Sequence, residues 1–235
     1  MEEKLNGIVL GGINYGDFDK ILSIFTLEKG TVSAKIKGVK KAGAKLKFAS
    51  EPFCFAEFVF LKSTDKRTVK TVSLHDSYYS LREDIVKYYS ASVVVEFIRK
   101  FQREEMVAES LFMLTAQTLK ELAYSDLPPK FIVARFLYDA LKNTGFGITF
   151  GNCEGCGCPI TTRPFFNADT GSFSCGDCAE IGSREIKGQT YDEIRDLDEK
   201  RLGDTTYDGA LRLMDYYISA KTDENLSSLK ELIKL

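Results

Sequence analysis

Two Cys-x-x-Cys pairs constrain the C-terminal half of this chain more than any other feature. The pairs are Cys153/Cys156 and Cys175/Cys178, with 18 residues between them, and this is the ligand spacing of a four-cysteine zinc ribbon. Each pair forms a tight turn that directs two thiolates towards one point, and the intervening segment is long enough for a hairpin that brings the pairs together. We therefore predict a zinc ribbon at residues 151–183 that holds one structural zinc ion.

A fifth cysteine, Cys158, leaves an alternative open. It could replace one ligand of the first pair, although a one-residue gap orients neighbouring side chains poorly towards one centre. A disulfide cluster or unliganded thiols are further alternatives, but the chain shows no export signal, and reduced thiolates are what zinc requires. Tight turns also need residues with positive φ, and we expect glycines to supply it at four positions: Gly155, Gly157, Gly171 and Gly176.

Charge is distributed unevenly along the 235 residues. The net charge is −2, but residues 1–80 hold 13 Lys and Arg against 9 Asp and Glu, whereas residues 81–235 hold 19 against 25. Because local charge governs binding, the N-terminal part is a candidate for nucleic-acid binding. The chain begins without an apolar signal segment and has no apolar run of membrane-spanning length, so we expect a cytoplasmic protein without membrane association.

Residues 1–79 have the pattern of a small β-barrel. Short runs rich in Val, Ile, Phe and Thr are separated by glycine or charged turns, and they predict five strands, over residues 5–10, 21–27, 31–37, 53–61 and 68–74. Five strands in about 75 residues favour an OB-fold. An SH3-like barrel is the alternative, which periodicity alone does not distinguish.

The most basic stretch lies between the third and fourth predicted strands, where residues 29–50 include no acidic residue. Small residues there let a backbone approach phosphates, and lysines supply counter-charge, so we predict that six lysines bind DNA: Lys35, Lys37, Lys40, Lys41, Lys45 and Lys47. A solvated loop is the alternative. Phe48, Phe53 and Phe55 follow and could stack on bases, although Phe at strand positions usually lies in the core.

Residues 80–150 and 184–235 are predicted to be two parts of one helical domain, with the ribbon inserted between them. Capping boxes at Ser80–Glu83 and Thr190–Glu193 are expected to start two helices. The helical spacing of apolar residues predicts four more helices, over residues 108–124, 128–145, 206–221 and 225–235. Pro128-Pro129 and Gly145 mark the ends of the second of these. The predicted fold is multidomain α+β: an OB-fold barrel followed by a helical bundle with an inserted zinc ribbon.

No catalytic constellation is recognisable in the sequence. The single histidine, His75, has no nucleophile signature around it. Gly11–Gly16 lacks the Gly-Lys-Ser/Thr of a phosphate-binding loop. Asp17 and Asp19 lack the further carboxylates of a metal-dependent nuclease, so a role in a turn is favoured. We expect a binding protein that is not an enzyme.

The N-terminal part contains three notable segments and one glycine in a fixed order: YGDFDKILSIFT at residues 15–26, Gly30, KGVKK at residues 37–41 and EPF at residues 51–53. This pattern resembles the N-terminal signature of the RecO family, which are bacterial recombination-mediator proteins. A helical middle, a four-cysteine insertion as in zinc-bearing members and a closing helix extend the resemblance over essentially the whole chain. Asp17 stands where Glu is usual, and Cys158 is an additional thiol beside the family's metal ligands.

The resemblance implies binding of single- and double-stranded DNA without sequence preference, annealing of complementary strands and a mediator role in DNA repair. It implies RecR and the single-stranded-DNA-binding protein as partners, RecA as an indirect partner, and a nucleoid-associated location. The acidic, apolar-ended tail of the single-stranded-DNA-binding protein needs an apolar groove with a basic rim, which we predict at Lys130, Phe131 and Arg135. The alternatives are a protein-binding scaffold and a zinc-ribbon transcription regulator, neither with annealing activity.

Overall fold

The computed structural model describes residues 2–63 and 66–235, and the chain forms two compact units, Met1–Ser125 and Asp126–Leu235. The strands of the first unit are β1 (Glu2–Tyr15), β2 (Asp19–Thr26), β3 (Gly30–Ile36), β4 (Phe55–Ser63) and β5 (Lys66–Asp76), and its helices are α1 (Ile85–Phe101) and α2 (Glu109–Tyr124). The second unit contains α3 (Pro129–Asn143), β6 (Phe165–Asn167), β7 (Ser172–Ser174), β8 (Arg184–Glu185), α4 (Gly188–Asp198), α5 (Asp208–Thr222) and α6 (Ser227–Leu232).

The five N-terminal strands close into a barrel in the order β1-β2-β3-β5-β4, with β4 pairing back onto β1. All neighbouring strands are antiparallel except β3 and β5, which pair in parallel over only two residue pairs, Ala34 with Arg67 and Lys35 with Thr68. This is the strand order of an OB-type barrel. The predicted OB-fold is therefore confirmed, and the SH3-like alternative is excluded.

Alternating burial explains why these strands form a barrel. In β4, Ala56, Phe58 and Phe60 are fully buried, whereas the residues between them are at least partly exposed. Successive side chains of a strand point to opposite faces, so one face of β4 fills the barrel interior. Phe58 and Phe60 stack there with ring centroids 5.8 Å apart, and each buried ring stabilises the barrel by roughly 2–3 kcal/mol.

Helices α1 and α2 belong to the same compact unit as the barrel. Phe112 of α2 contacts the rings of Phe25 and Phe55 at 5.4 and 6.1 Å, and Tyr88 of α1 contacts Phe53 at 5.8 Å. Grouping by packing thus places the unit boundary after α2, whereas the change from strands to helices suggests a boundary at residue 79. The predicted domain division stays a prediction.

Both predicted capping boxes are wrong. Ser80 lies in a single 3-10 turn, Tyr79–Arg82, and α1 begins at Ile85 because the Asp84 side chain caps it by accepting from the Lys87 N–H at 2.9 Å. The second box lies inside α4, which begins at Gly188. The buried carboxylate of Glu193 accepts instead from the Ala210 N–H of α5 at 2.7 Å. It therefore links two helices rather than capping its own.

The second unit combines helices α3 to α6 with a small sheet of order β7-β6-β8. The β6–β7 hairpin contributes two fully buried rings, Phe166 and Phe173, whose centroids are 5.1 Å apart. Phe166 contacts Tyr217 of α5 at 5.4 Å, and Phe173 contacts Tyr191 of α4 at 5.2 Å. These four rings attach the cysteine-rich segment to the helices. None of the helices in residues 2–63 and 66–235 has both the length and the apolar character that crossing a membrane requires.

Candidate nucleic-acid surface and metal site

The outer face of the barrel brings aromatic and basic side chains into adjacent rows. Ile13 of β1 pairs with Ile21 of β2, which pairs with Lys35 of β3, and Tyr15 pairs with Asp19. Residues that pair directly across antiparallel strands point to the same face. Ile13 is 68% exposed and Tyr15 is 51% exposed, so this face is turned to solvent.

Asp19 organises this face by binding two partners. One carboxylate oxygen accepts from the Gly38 N–H at 2.8 Å, and the other lies 2.9 Å from Lys35 Nζ. The hydrogen bond from Lys35, with that from Gly38, holds the pKa of the Asp19 carboxyl below its usual value. Gly38 has φ of +69°, a conformation that favours glycine, so Asp19 fixes the point where the chain turns out of β3.

The turn between β1 and β2 contacts the segment at residues 37–47, which we call the lysine loop. The Lys40 N–H donates to the Phe18 carbonyl oxygen at 3.1 Å. Lys41 Nζ lies 5.2 Å from the centroid of the Phe18 ring, and Lys35 Nζ lies 4.4 Å from that of Tyr15. These are cation–π distances. We call Tyr15, Phe18, Lys35 and Lys41 the lysine–aromatic surface.

The predicted lysines differ in how freely they present their charge. Lys35 is half-buried and paired with Asp19. The other five are exposed, and among residues 2–63 and 66–235 they have no ion-pair partner: Lys37, Lys40, Lys41, Lys45 and Lys47. Lys40 and Lys41 are the two that contact the β1–β2 turn. The assignment of all six to DNA binding stays a prediction.

The exposed rings of this surface are not the ones that the sequence suggested. Phe53 is fully buried, Phe48 packs against the barrel core, and Phe55 is half-buried against His75, with ring centroids 4.8 Å apart. Tyr15 and Phe18, which sequence reasoning missed as surface rings, are each 51% exposed. A signal was available, because both residues flank Gly16 in a turn and a turn between strands cannot bury every ring it carries.

The four cysteines of the two Cys-x-x-Cys pairs converge on one point. Their sulfur atoms all lie within 4.8 Å of one another, and Cys175 Sγ is 3.7 Å from Cys153 Sγ and 4.0 Å from Cys156 Sγ. Zinc–sulfur bonds of about 2.3 Å place neighbouring sulfurs of a tetrahedron about 3.8 Å apart. These separations exceed the roughly 2 Å of a disulfide. The four cysteines therefore fit a tetrahedral metal ion, and the disulfide alternative is excluded for them.

Backbone N–H groups lower the pKa of the Cys153 thiol, the first of the cluster. N–H groups of Cys175, Cys156 and Gly155 point at Cys153 and lower the pKa of its thiol to about 6. Hydrogen bonds to the Cys175, Cys156 and Cys153 sulfurs raise the pKa of the Cys178 thiol to about 12. Four sulfurs this close cannot all ionise without a cation between them, because each thiolate repels the negative charge of the next one. A divalent ion removes this conflict.

Cys158 lies outside the four-sulfur cluster. Its thiol is exposed, and its carbonyl oxygen accepts from the Cys153 N–H at 2.9 Å, so it supports the first turn through the backbone. Two of the four glycine predictions are wrong, since only Gly157 and Gly171 have positive φ. Gly155 is required for space instead, because a Cβ there would lie 2.8 Å from Cys178 Cβ.

The residues predicted to bind a partner lie on α3. Phe131 is buried, 5.0 Å from the ring of Tyr207, and Lys130 Nζ lies 2.7 Å from an Asp208 carboxylate oxygen. The Arg135 guanidinium lies 5.4 Å from the centroid of the Phe131 ring. Phe131 and Lys130 thus have partners within the second unit. Their part in partner binding stays a prediction.

An OB-type barrel followed by helices and by a cluster of four cysteines that could hold a metal ion defines the class of this protein. A family model described as "Recombination protein O N terminal" matches residues 1–78, and one described as "Recombination protein O C terminal" matches residues 82–230. The chain belongs to the recombination protein O (RecO) family. The family resemblance of the sequence is therefore confirmed.

Several relatives share most of their length with this chain, and each is named DNA repair protein RecO. The relative from Acetivibrio thermocellus is 28% identical over 184 residues, which are 78% of this chain and 73% of the relative. The one from Caldicellulosiruptor bescii is 28% identical over 191 residues, 81% of this chain and 78% of the relative. The one from Anaeromyxobacter dehalogenans is 31% identical over 180 residues, 75% of this chain and 70% of the relative.

Proposed function

We propose that this chain is a DNA-binding recombination mediator in DNA repair that acts through the outer face of its barrel. It binds single- and double-stranded DNA without sequence preference and anneals complementary strands. With RecR, it helps RecA onto strands coated by the single-stranded-DNA-binding protein, in the bacterial cytoplasm near the nucleoid. Its membership of the RecO family supports this proposal, since the matched relatives are named DNA repair proteins.

The observation that carries the proposal is the set of five exposed lysines in the lysine loop, of which Lys40 and Lys41 contact the β1–β2 turn. Lysines that neutralise phosphates release condensed counterions, which provides affinity without reading sequence. Backbone phosphates are the same in every sequence, so this binding is general. Two complementary strands on one neutralising surface repel each other less, and this lowers the barrier to pairing. No step of this mechanism consumes a nucleotide.

Charge reversal in the lysine loop tests the proposal. The double variant Lys40→Glu/Lys41→Glu should weaken binding to unrelated single strands and duplexes by roughly tenfold or more, and about equally for all sequences, because phosphates carry no sequence information. Fluorescence anisotropy with labelled oligonucleotides at fixed salt measures this. The matched control is Lys120→Glu/Lys142→Glu, two exposed helical lysines outside the loop, which make the same change in net charge.

Three results would contradict the proposal. If the loop variant binds as tightly as the control, the lysine loop is the wrong surface. If the wild-type protein prefers one sequence strongly, it is a transcription regulator, and if it binds no strand it is a scaffold. Annealing of strands coated by the single-stranded-DNA-binding protein, measured with and without RecR, tests the mediator role itself.

We also propose that the metal ion is a single structural zinc ion held by Cys153, Cys156, Cys175 and Cys178. A cluster of four protein ligands leaves no open coordination position for a substrate. The ion would therefore cross-link the two turns and take no part in a reaction. Lys130, Phe131 and Arg135 remain our proposed site for the tail of the single-stranded-DNA-binding protein. Lys130 and Arg135 would contact the tail, and Phe131, which is buried, would support the helix from the core.

A further inference from the structure

Two half-exposed aromatic rings lie next to lysine ammonium groups on the barrel. Tyr15 and Phe18 are each 51% exposed, although buried rings fill the barrel interior. They flank the same turn, at the end of β1 and just before β2. Ile13, two residues before Tyr15 on the same face of β1, is 68% exposed, so exposed apolar side chains gather at this part of the barrel surface. Such clusters mark binding surfaces, whereas single exposed rings do not.

Contacts to neighbouring groups hold both rings in place without burying them. The ammonium group near Tyr15 belongs to Lys35, which Asp19 fixes by an ion pair at 2.9 Å. The ammonium group near the Phe18 ring belongs to Lys41, and the Phe18 backbone is fixed by its carbonyl oxygen, which accepts from the Lys40 N–H at 3.1 Å. A cation over a ring occupies one of its two faces. The ring surface that stays exposed is therefore available for stacking against a planar group of a ligand.

We propose that Tyr15 and Phe18 are stacking platforms for unpaired bases. This inference rests on the proposed function, because it assigns the rings to the same DNA surface as the lysines. Every base has a π face, so stacking on an aromatic ring tolerates any sequence. The ammonium group of Lys41, which has no ion-pair partner among the described residues, then lies beside the stacked nucleotide, where its phosphate needs counter-charge.

The consequence is that single strands and duplexes use the surface differently. A single strand contacts both the rings and the lysines. The bases of a duplex are already stacked on one another, so a duplex contacts the lysines alone. The rings thus define the substrate class that the surface prefers, which the lysines cannot do, since phosphates are present in both.

Two variants separate stacking from apolar contact and from folding. Tyr15→Leu/Phe18→Leu keeps apolar bulk but removes both π faces, and Tyr15→Phe/Phe18→Tyr keeps both rings. Binding is measured for a mixed-sequence single strand, for the duplex of the same sequence, and for an abasic sugar-phosphate strand of equal length. Lys40→Glu/Lys41→Glu serves as the charge control on all three, and thermal unfolding confirms that each variant folds.

We expect the leucine variant to lose roughly tenfold in affinity for the ordinary single strand and less than twofold for the duplex and the abasic strand. The slope of log affinity against log salt should not change, since no charge is removed. The ring-preserving variant should bind all three ligands like the wild-type protein. The lysine variant should instead lose affinity for all three.

Equal losses on the abasic and ordinary strands would overturn the inference, because the rings would then only position lysines. An unchanged affinity of the leucine variant for every ligand would also overturn it. If Lys40→Glu/Lys41→Glu still lost affinity for all three ligands, the proposed function would stand without this inference. If the wild-type protein bound none of the three ligands, the proposed function would fail and this inference with it.

Discussion

The barrel and the four-cysteine segment are stabilised in different ways. β4 alone buries three side chains completely, Ala56, Phe58 and Phe60. All nine of its residues pair with β5, and seven of them also pair with β1. The strands β6 and β7 have three residues each and β8 has two. Sheets this small cannot enclose a core. The cysteine-rich segment therefore depends on its four sulfurs and on two Phe rings that pack against the helices.

This difference in how the two regions are stabilised indicates which side chains are available for binding a ligand. Because apolar residues inside the barrel hold it together, its outer face is free to carry lysines and exposed rings. In the cysteine-rich segment the chemically reactive groups, the four clustered thiols, are the ones that we propose to hold the structure through a metal ion. The predictions below test this division of roles, by removing first a sulfur, then a buried ring, and then a glycine at the closure of the barrel.

Loss of one sulfur ligand should have the largest effect. Cys175 contacts both members of the first pair, with its sulfur 3.7 Å from that of Cys153 and 4.0 Å from that of Cys156. Cys175→Ser should reduce bound metal from one ion per chain to near zero and abolish amide protection at residues 153–178, since metal binding supplies the folding free energy of such a segment. Metal analysis of protein purified without chelator and hydrogen exchange measure both effects.

The control for this variant is Cys158→Ser, which should keep one metal ion per chain because that thiol lies outside the cluster. Amide protection in the barrel should be the same in both variants. Two results would show that the cysteine-rich segment does not depend on a metal ion. One is a wild-type protein with well under one metal ion per chain, and the other is a Cys175→Ser protein that keeps one metal ion per chain.

Removing a buried ring should have the next largest effect, and it should act on the barrel. Phe58→Ala deletes a ring that is fully buried and stacked on Phe60, so the free energy of unfolding of the first unit should fall by about 3–5 kcal/mol. Phe18→Ala deletes a ring that is 51% exposed and should cost less than about 0.5 kcal/mol. Urea denaturation measures both, and similar values for the two would show that the barrel does not depend on its core.

A smaller effect is expected where the barrel closes. Gly30 has φ of +66°, and a Cβ there would lie 2.0 Å from the Met106 carbonyl oxygen. The residue before Met106, Glu105, donates its N–H to the Thr31 carbonyl oxygen of β3 at 2.9 Å, so this segment is held against the strand. Gly30→Ala should therefore lower the free energy of unfolding by roughly 2–3 kcal/mol, because backbone strain and a backbone clash add together.

Gly16→Ala is the matched control for this glycine. Gly16 has φ of +63°, and a methyl group added there would have no atom of the described residues within 4 Å, its chain neighbours aside. The variant should therefore lose only the cost of the left-handed backbone, roughly 1 kcal/mol. Denaturation curves of both variants give the difference, which isolates the clash. Equal losses would mean that the segment around Met106 yields readily and does not help to close the barrel.

Local patterns in the sequence were sufficient for the barrel and for the convergence of the four cysteines. The short runs rich in Val, Ile, Phe and Thr and the spacing of the two Cys-x-x-Cys pairs each encode a geometry within a short segment, and the barrel and the cysteine cluster that they predict are both present in the structure. Features that depend on distant partners were not predictable. Glu193 matches a capping box, but its carboxylate is buried and accepts from the Ala210 N–H of another helix, which a local motif cannot reveal.

The candidate surface illustrates the same limit. The lysine loop is visible as a run of charge, but Tyr15 reaches the outer face of the sheet only after a register shift between Val9 and Gly11 in β1. Such a bulge redirects the side chains that follow it. The ion pair between Asp19 and Lys35 likewise depends on the register of β2 against β3. Periodicity could not supply either fact.

The most direct test of the account is the salt dependence of single-strand binding by the wild-type protein and by Lys40→Glu/Lys41→Glu. If charge on the barrel carries the binding, log affinity should fall linearly and steeply with log salt concentration, and the variant should have a slope shallower by about 1.4, since each phosphate contact on a single strand contributes about 0.7. A wild-type affinity that does not change with salt, or two identical slopes, would contradict it.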